Sequence, residues 1–98
     1  MFIKIHSSYR DVVAICDSEL IGKKFEHGRA QLDVKEDFFR GEEKSEREIF
    51  EIMKDLEKED ATFNIIGKKA VNTALRAGII TGDGIKEVSG IPFALVLM

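Results

Sequence analysis

The chain has 98 residues, 44% of them hydrophobic and 34% charged, with a formal net charge of −3. That length suits one domain with one core, and the composition excludes a disordered or low-complexity chain. One cysteine excludes an internal disulfide, and no apolar run approaches the ~20 residues that a membrane span needs.

Residues 1–10, MFIKIHSSYR, lack the apolar stretch and small-residue cleavage site of a signal peptide, so a cytoplasmic location with no membrane partner is expected. Residues 2–6 alternate, with Ile3 and Ile5 on one face and Phe2, Lys4 and His6 on the other, which predicts a strand. Residues 7–11 form a polar turn. Residues 12–16, VVAIC, are apolar throughout, as expected of a strand covered on both faces. Asp17, Ser18 and Glu19 give a helix-start signal, and a short helix or turn is expected to about Lys24. Ala30, Leu32 and Val34 alternate with Arg29, Gln31 and Asp33, predicting a half-exposed strand.

Ser45 and Glu48 make a capping box at the start of the clearest helix. Ile49, Ile52, Met53 and Leu56 follow at helical spacing, and the pattern fades in the charged run 57–60. A second helix is predicted from about Ile65 or Gly67 to Ala77, burying Ala70, Val71, Ala74 and Leu75 and ending at Gly78. Gly82-Asp83-Gly84 is a turn, 85–88 a short strand, and Ser89-Gly90 another turn. The closing residues 91–98, IPFALVLM, predict an interior strand. The order strand, strand, strand, helix, strand, helix, strand, strand predicts a single α/β (or α+β) domain over residues 1–98. Its mixed sheet should have about five to six strands, with two main helices.

The stretches DVVAICDSELIGKKF and GKKAVNTALRAGII and the closing GIPFA together resemble the small archaeal proteins of domain of unknown function family 424. The resemblance spans essentially the whole chain. It implies a cytosolic archaeal protein of mixed α/β fold, and it brings no catalytic residues, because the family's function is unassigned. Abundant Lys, Glu and Ile with no Trp point to a thermophile.

Charge is uneven along the chain. Residues 42–60 carry nine acids against four bases, while Lys23, Lys24 and Arg29 bracket only Glu26. Neither Gly-Lys pair fits a Walker loop, because Lys24 and Lys69 occupy the Ser/Thr position. Gly82-Asp83-Gly84 lacks the third glycine of a dinucleotide fingerprint and precedes a strand. No cofactor is called for. His6, Cys16 and His27 are not spaced as metal ligands, and Glu42-Glu43 reads as a solvated approach to a helix, not a magnesium site.

Cys16-Asp17, at the carboxyl end of a buried strand, could carry thiol chemistry with His6 or His27 as base. The favoured reading is a small buried hydrophobe followed by an N-cap residue. Phe38-Phe39 lie in a charged setting, where a loop turning both inward is favoured over one exposed anchor.

The sharpest feature is the tetrapeptide Ile-Gly-Lys-Lys, which occurs at 21–24 and again at 66–69. Lys68 and Lys69 fall in the first turn of a helix, where acids are favoured and cations are not. Free helical N–H groups, a glycine permitting close approach and two lysines together suit a phosphate. Lys23, Lys24, Arg29, Gly67, Lys68 and Lys69 are therefore the candidate site for RNA or another phosphate-rich partner, with Phe25 and His27 available to stack a base. The alternatives are a protein-protein adaptor using the acidic helix 45–57, and a small enzyme centred on Cys16-Asp17.

Overall fold

The computed structural model describes residues 1–97. Eight strands and three helices follow in the order β1 (Phe2–His6), β2 (Val12–Cys16), β3 (Lys24–His27), β4 (Ala30–Asp33), α1 (Glu36–Phe39), β5 (Glu42–Glu43), α2 (Glu46–Glu57), β6 (Thr62–Ile66), α3 (Lys68–Ala77), β7 (Lys86–Val88) and β8 (Ile91–Val96). Six strands form a mixed sheet in the order β5-β1-β2-β6-β8-β7, while β3 and β4 form a separate hairpin. Only β2 and β6, at the centre, run parallel; the other neighbours are antiparallel. The result is the single α/β domain that the sequence pattern predicts.

The alternation within β2 divides the interior in two. Val13 and Ile15 join Phe63, Ile65 and Ala94 under α2 and α3, which supply Ile49, Met53, Ala70, Val71 and Ala74. Ala14 and Cys16 face the other way, under a cover of Leu20, Leu32, Val34 and Phe39. The second cover is therefore the hairpin and the short helix α1. All five residues of β2 were expected to be enclosed, and four are fully buried.

The capping box forms as predicted. The Glu48 N–H donates to Ser45 Oγ at 3.2 Å, and the Ser45 N–H donates to Glu48 Oε1 at 3.1 Å. The Ser45 N–H and then the Ser45 hydroxyl, both donating to Glu48 Oε1, hold the Glu48 carboxyl below its ordinary pKa. At the far end of α3, Gly78 adopts φ +79 and its N–H donates to Leu75 O, closing the helix in the left-handed conformation that glycine tolerates.

Several expectations change. The helical signal after Asp17 yields only a one-turn 3-10 segment, Ser18–Leu20, because Gly22 at φ +77 breaks the chain and β3 starts at Lys24. Of the two helix starts expected, about Ile65 or Gly67, the structure takes the later: α3 begins at Lys68 after Gly67, because Ile65 and Ile66 pair in β6. Leu75 lies 39% exposed, because its helical angle turns it away from the stripe of Ala70, Thr73, Ala74 and Ala77. Phe39 turns inward, while Phe38 stays half-buried and stacks on His6 at 4.5 Å. The closing strand ends at Val96, and Met98 lies outside the described residues.

Ile49 and Met53 are wholly buried, whereas Ile52 and Leu56 are half-buried at the margin of the same stripe. Met53→Ala should therefore cost ~2–5 kcal/mol in urea denaturation, and Ile52→Ala less. Glu51→Ala, on the solvent side, should stay within about 0.5 kcal/mol.

Candidate functional site

The two Ile-Gly-Lys-Lys copies adopt different structures. In the first, Gly22 and Lys23 lead into β3, with the Gly22 N–H donating to Val34 O and the Val34 N–H returning to Lys23 O. In the second, Ile66 ends a central strand, Gly67 turns the chain, and Lys68-Lys69 open α3. The common sequence reflects no common geometry.

The start of α3 is occupied by an acid from elsewhere in the chain. Asp17 leaves β2 directly beside the end of β6, its N–H donating to Ile66 O at 3.0 Å. Its carboxylate accepts the Lys69 N–H at 3.1 Å and the Ala70 N–H at 2.8 Å. Asp17 is 4% exposed. A buried carboxylate is costly unless it receives hydrogen bonds, and here two helix amides and the positive end of the helix dipole provide them. Asp17 therefore caps α3 and not the 3-10 segment that follows it, where its side chain makes no capping bond.

Gly67 makes this approach possible. It adopts φ +112, a conformation reserved almost wholly to glycine. A Cβ at position 67 would lie 2.4 Å from Asp17 Cγ. The close approach that the sequence assigns to a phosphate is made in this structure by the protein's own carboxylate.

Lys68 and Lys69 project from this cap, exposed, over a groove of about 310 Å³ shared with Asp17, Glu19, Leu20 and Ile91. The groove lies outside the carboxyl ends of the two parallel strands, a common location for ligands in α/β sheets. Among the described residues, Lys23, Arg29, Lys68 and Lys69 make no ion pair. Lys23 does not line the groove; its backbone N–H donates to O of Leu20, one of the lining residues, at 3.0 Å. Lys24 is instead 3.9 Å from Glu26, and Arg29 stands in the hairpin turn; neither lines the groove. Phe25 packs into the cluster beneath the hairpin, so it is not presented as a stacking surface.

Cys16 is fully buried, and its thiol is pushed up from 9.0 to about 12, mainly by burial and then by the adjacent Asp17 charge. Among the described residues, neither histidine bonds to it: His6 Nε2 is 2.9 Å from Phe38 O, and His27 is exposed in the hairpin. Among the described residues, no group of three or more His, Cys, Asp or Glu side chains is arranged to hold a metal. No helix there is long and apolar enough to cross a membrane. Two of the acids of α2 have internal uses: Glu48 closes the capping box and Glu46 lies 3.6 Å from Arg76. From the sequence, Asp17 reads as a helix start and as the neighbour of Cys16, not as the cap of α3. Its pairing with Gly67 had one visible signal, the two lysines at a helix start with no acid of their own.

The family described as "Protein of unknown function (DUF424)" matches residues 5–98. No curated protein matches the chain. Among solved structures, an uncharacterized conserved protein from Methanopyrus kandleri is similar, with a TM-score of 0.84 and 22% identity over 98% of this chain and 90% of the other. That likeness establishes the fold.

Asp17→Ala should cost ~1–3 kcal/mol, since it leaves two amides of α3 without their acceptor. Gly67→Ala should cost more, through both the clash and the backbone conformation. The double variant should be less destabilised than the two single losses added together, because removing the carboxylate relieves the clash; strict additivity in urea melts would refute the contact. For Cys16, iodoacetamide should react with the native protein more slowly than with a free thiol at neutral pH. Because the folded thiol titrates higher than the unfolded one, its contribution to stability is complete below pH 9 and lost as pH rises towards about 12.

Proposed function

The chain belongs to the protein family of unknown function DUF424, and for this member we propose a binding role: it holds a phosphate-rich polymer, RNA in the first place, through lysine side chains at the carboxyl ends of β2 and β6. We place this activity in an archaeal cytosol. The observation that carries the reading is the position of Lys68 and Lys69, exposed and without ion-pair partners on the rim of a groove where α/β sheets commonly take ligands. We include Lys23, whose backbone bonds to Leu20 of the groove, as a further contact for a long polymer.

Asp17 limits how the polymer is held. The Lys69 and Ala70 amides are already bonded to its carboxylate, so these amides are not offered to a phosphate. Contact comes from flexible ammonium groups, which read the backbone and not the bases. Binding should then be independent of sequence and steeply dependent on salt. The high thiol pKa and burial of Cys16 weigh against the enzyme reading.

Fluorescence anisotropy with a labelled single-stranded RNA, at low and at physiological salt, tests the proposal. Lys68→Ala with Lys69→Ala should weaken binding for every RNA sequence and flatten the salt slope by roughly 0.7 per lost contact. Asp17→Ala should act in the opposite direction, tightening binding by removing a negative charge and freeing two helix amides while lowering stability. If the parent protein binds no RNA at low salt, or the lysine variant binds as well as the parent, the proposal fails.

A further inference from the structure

Natural sheets protect their edges by pairing, charge or cover, because an open edge offers unpaired N–H and C=O groups to any strand that can reach it. The β8 side of this sheet is protected over only half its length. β7 pairs with Ile91, Pro92 and Phe93 and begins at Lys86, opposite Phe93. The chain preceding it turns away through the 3-10 segment Gly82–Gly84. Among the described residues, no strand lies beside the outer edge of residues 94–96.

The direction of the open groups follows from one hydrogen bond. The Gly67 N–H donates to Pro92 O at 2.8 Å, so the backbone of Pro92 points towards β6. Strand alternation then aims Ala94 and Val96 the same way and Leu95 outward, past the end of β7. Leu95, on the strand, is 55% exposed, and Leu97, just beyond it, 73%.

Two grooves meet at this edge. One, about 330 Å³, runs between Leu95, Val96 and Leu97 and the segment containing Ile79 and Ile80, and none of its lining residues is charged. The other, about 310 Å³, lies across Leu95 on the opposite face of the sheet, walled by Phe38, Phe39, Phe93 and Asn64. Its one charged residue is Asp33, which is exposed and makes no ion pair among the described residues.

We propose that the open edge of β8 at Leu95 receives an extended strand from another protein, apolar at alternate positions and carrying a lysine or arginine that reaches Asp33. Main-chain bonds to Leu95 fix the strand. Alternate side chains then enter the grooves on the two faces, as in other cases of strand addition. The absence of charge along residues 94–97 favours apolar side chains beside the edge, and the unpaired Asp33 carboxylate sets the charge of the partner's long side chain. This surface lies beside the amino end of β6, away from Lys68 and Lys69, so it is independent of RNA binding.

The probes are synthetic peptides with alternating valine and threonine and one lysine, added to the ¹⁵N-labelled protein. Amide shifts should concentrate at residues 93–97 and along the two grooves, at 78–84, 32–33 and 38–39. The same peptide N-methylated at alternate amides should fail to bind, a control that leaves the protein unaltered. Leu95→Pro removes the outward N–H together with the leucine side chain, keeps the bonds to β6, and should abolish binding while RNA affinity is unchanged; Leu95→Ala, which keeps the N–H, should weaken binding less. Replacing the peptide lysine by glutamate should weaken binding roughly threefold to tenfold, and Asp33→Lys should restore it. Shifts elsewhere, indifference to N-methylation or no binding at millimolar peptide would overturn the proposal. A dimer of the chain alone that Leu95→Pro makes monomeric would also overturn it, since the occupant would then be a second copy.

Discussion

The contact between the Asp17 carboxylate and the first turn of α3 joins residues 52 and 53 positions apart, and the central architecture is arranged around it. It requires β2 and β6 to lie side by side and parallel, so that the residue after one strand meets the helix after the other. It requires glycine at position 67, where any side chain would occupy the space of the carboxylate. In return, it supplies the negative charge that a helix beginning with two lysines does not provide for itself. The cost of burying an acid is offset by donors that would otherwise be unpaired, so each half of the contact solves the other's problem.

That arrangement explains which parts of the molecule were legible in the sequence. β1, β2 and α2 follow from local pattern alone, because alternation, an apolar run and a capping box each have one structural solution. β3 was missed because a helix-start signal at Asp17 competed with Gly22, and the glycine's positive φ prevailed. Thr62–Ile66 merges into a helical pattern, and only pairing with strands far away in sequence separates it from α3. Leu75 was assigned inward because it is apolar, although its helical angle places it outward. Such errors arise wherever a local preference is overruled by a partner that the local window does not contain.

The candidate site shows the same limit more sharply. Lys68 and Lys69 violate the usual charge preference of a helix start, and the anomaly was visible without coordinates. Its resolution was not, because the compensating acid is Asp17, at the end of a strand in a different part of the chain. An apparent vacancy for an anion can thus be filled internally. Gly67, read as permitting the approach of a ligand, permits the approach of a side chain.

This bears on what kind of anion the lysines can hold. Within the groove, Lys68 and Lys69 face Asp17 and Glu19, so the ionised groups balance. Part of the Asp17 charge is already spent against the positive end of α3, which leaves the lysines only a modest excess. A single phosphate would gain little there: the ammonium groups are solvated and mobile, and exposed pairs contribute at most ~1 kcal/mol each. A polymer gains more, because one strand crossing Lys68 and Lys69 can add further contacts along its length after the cost of association has been met once. Inorganic phosphate should therefore compete poorly with RNA at this surface. The internal cap selects length in the ligand as well as charge.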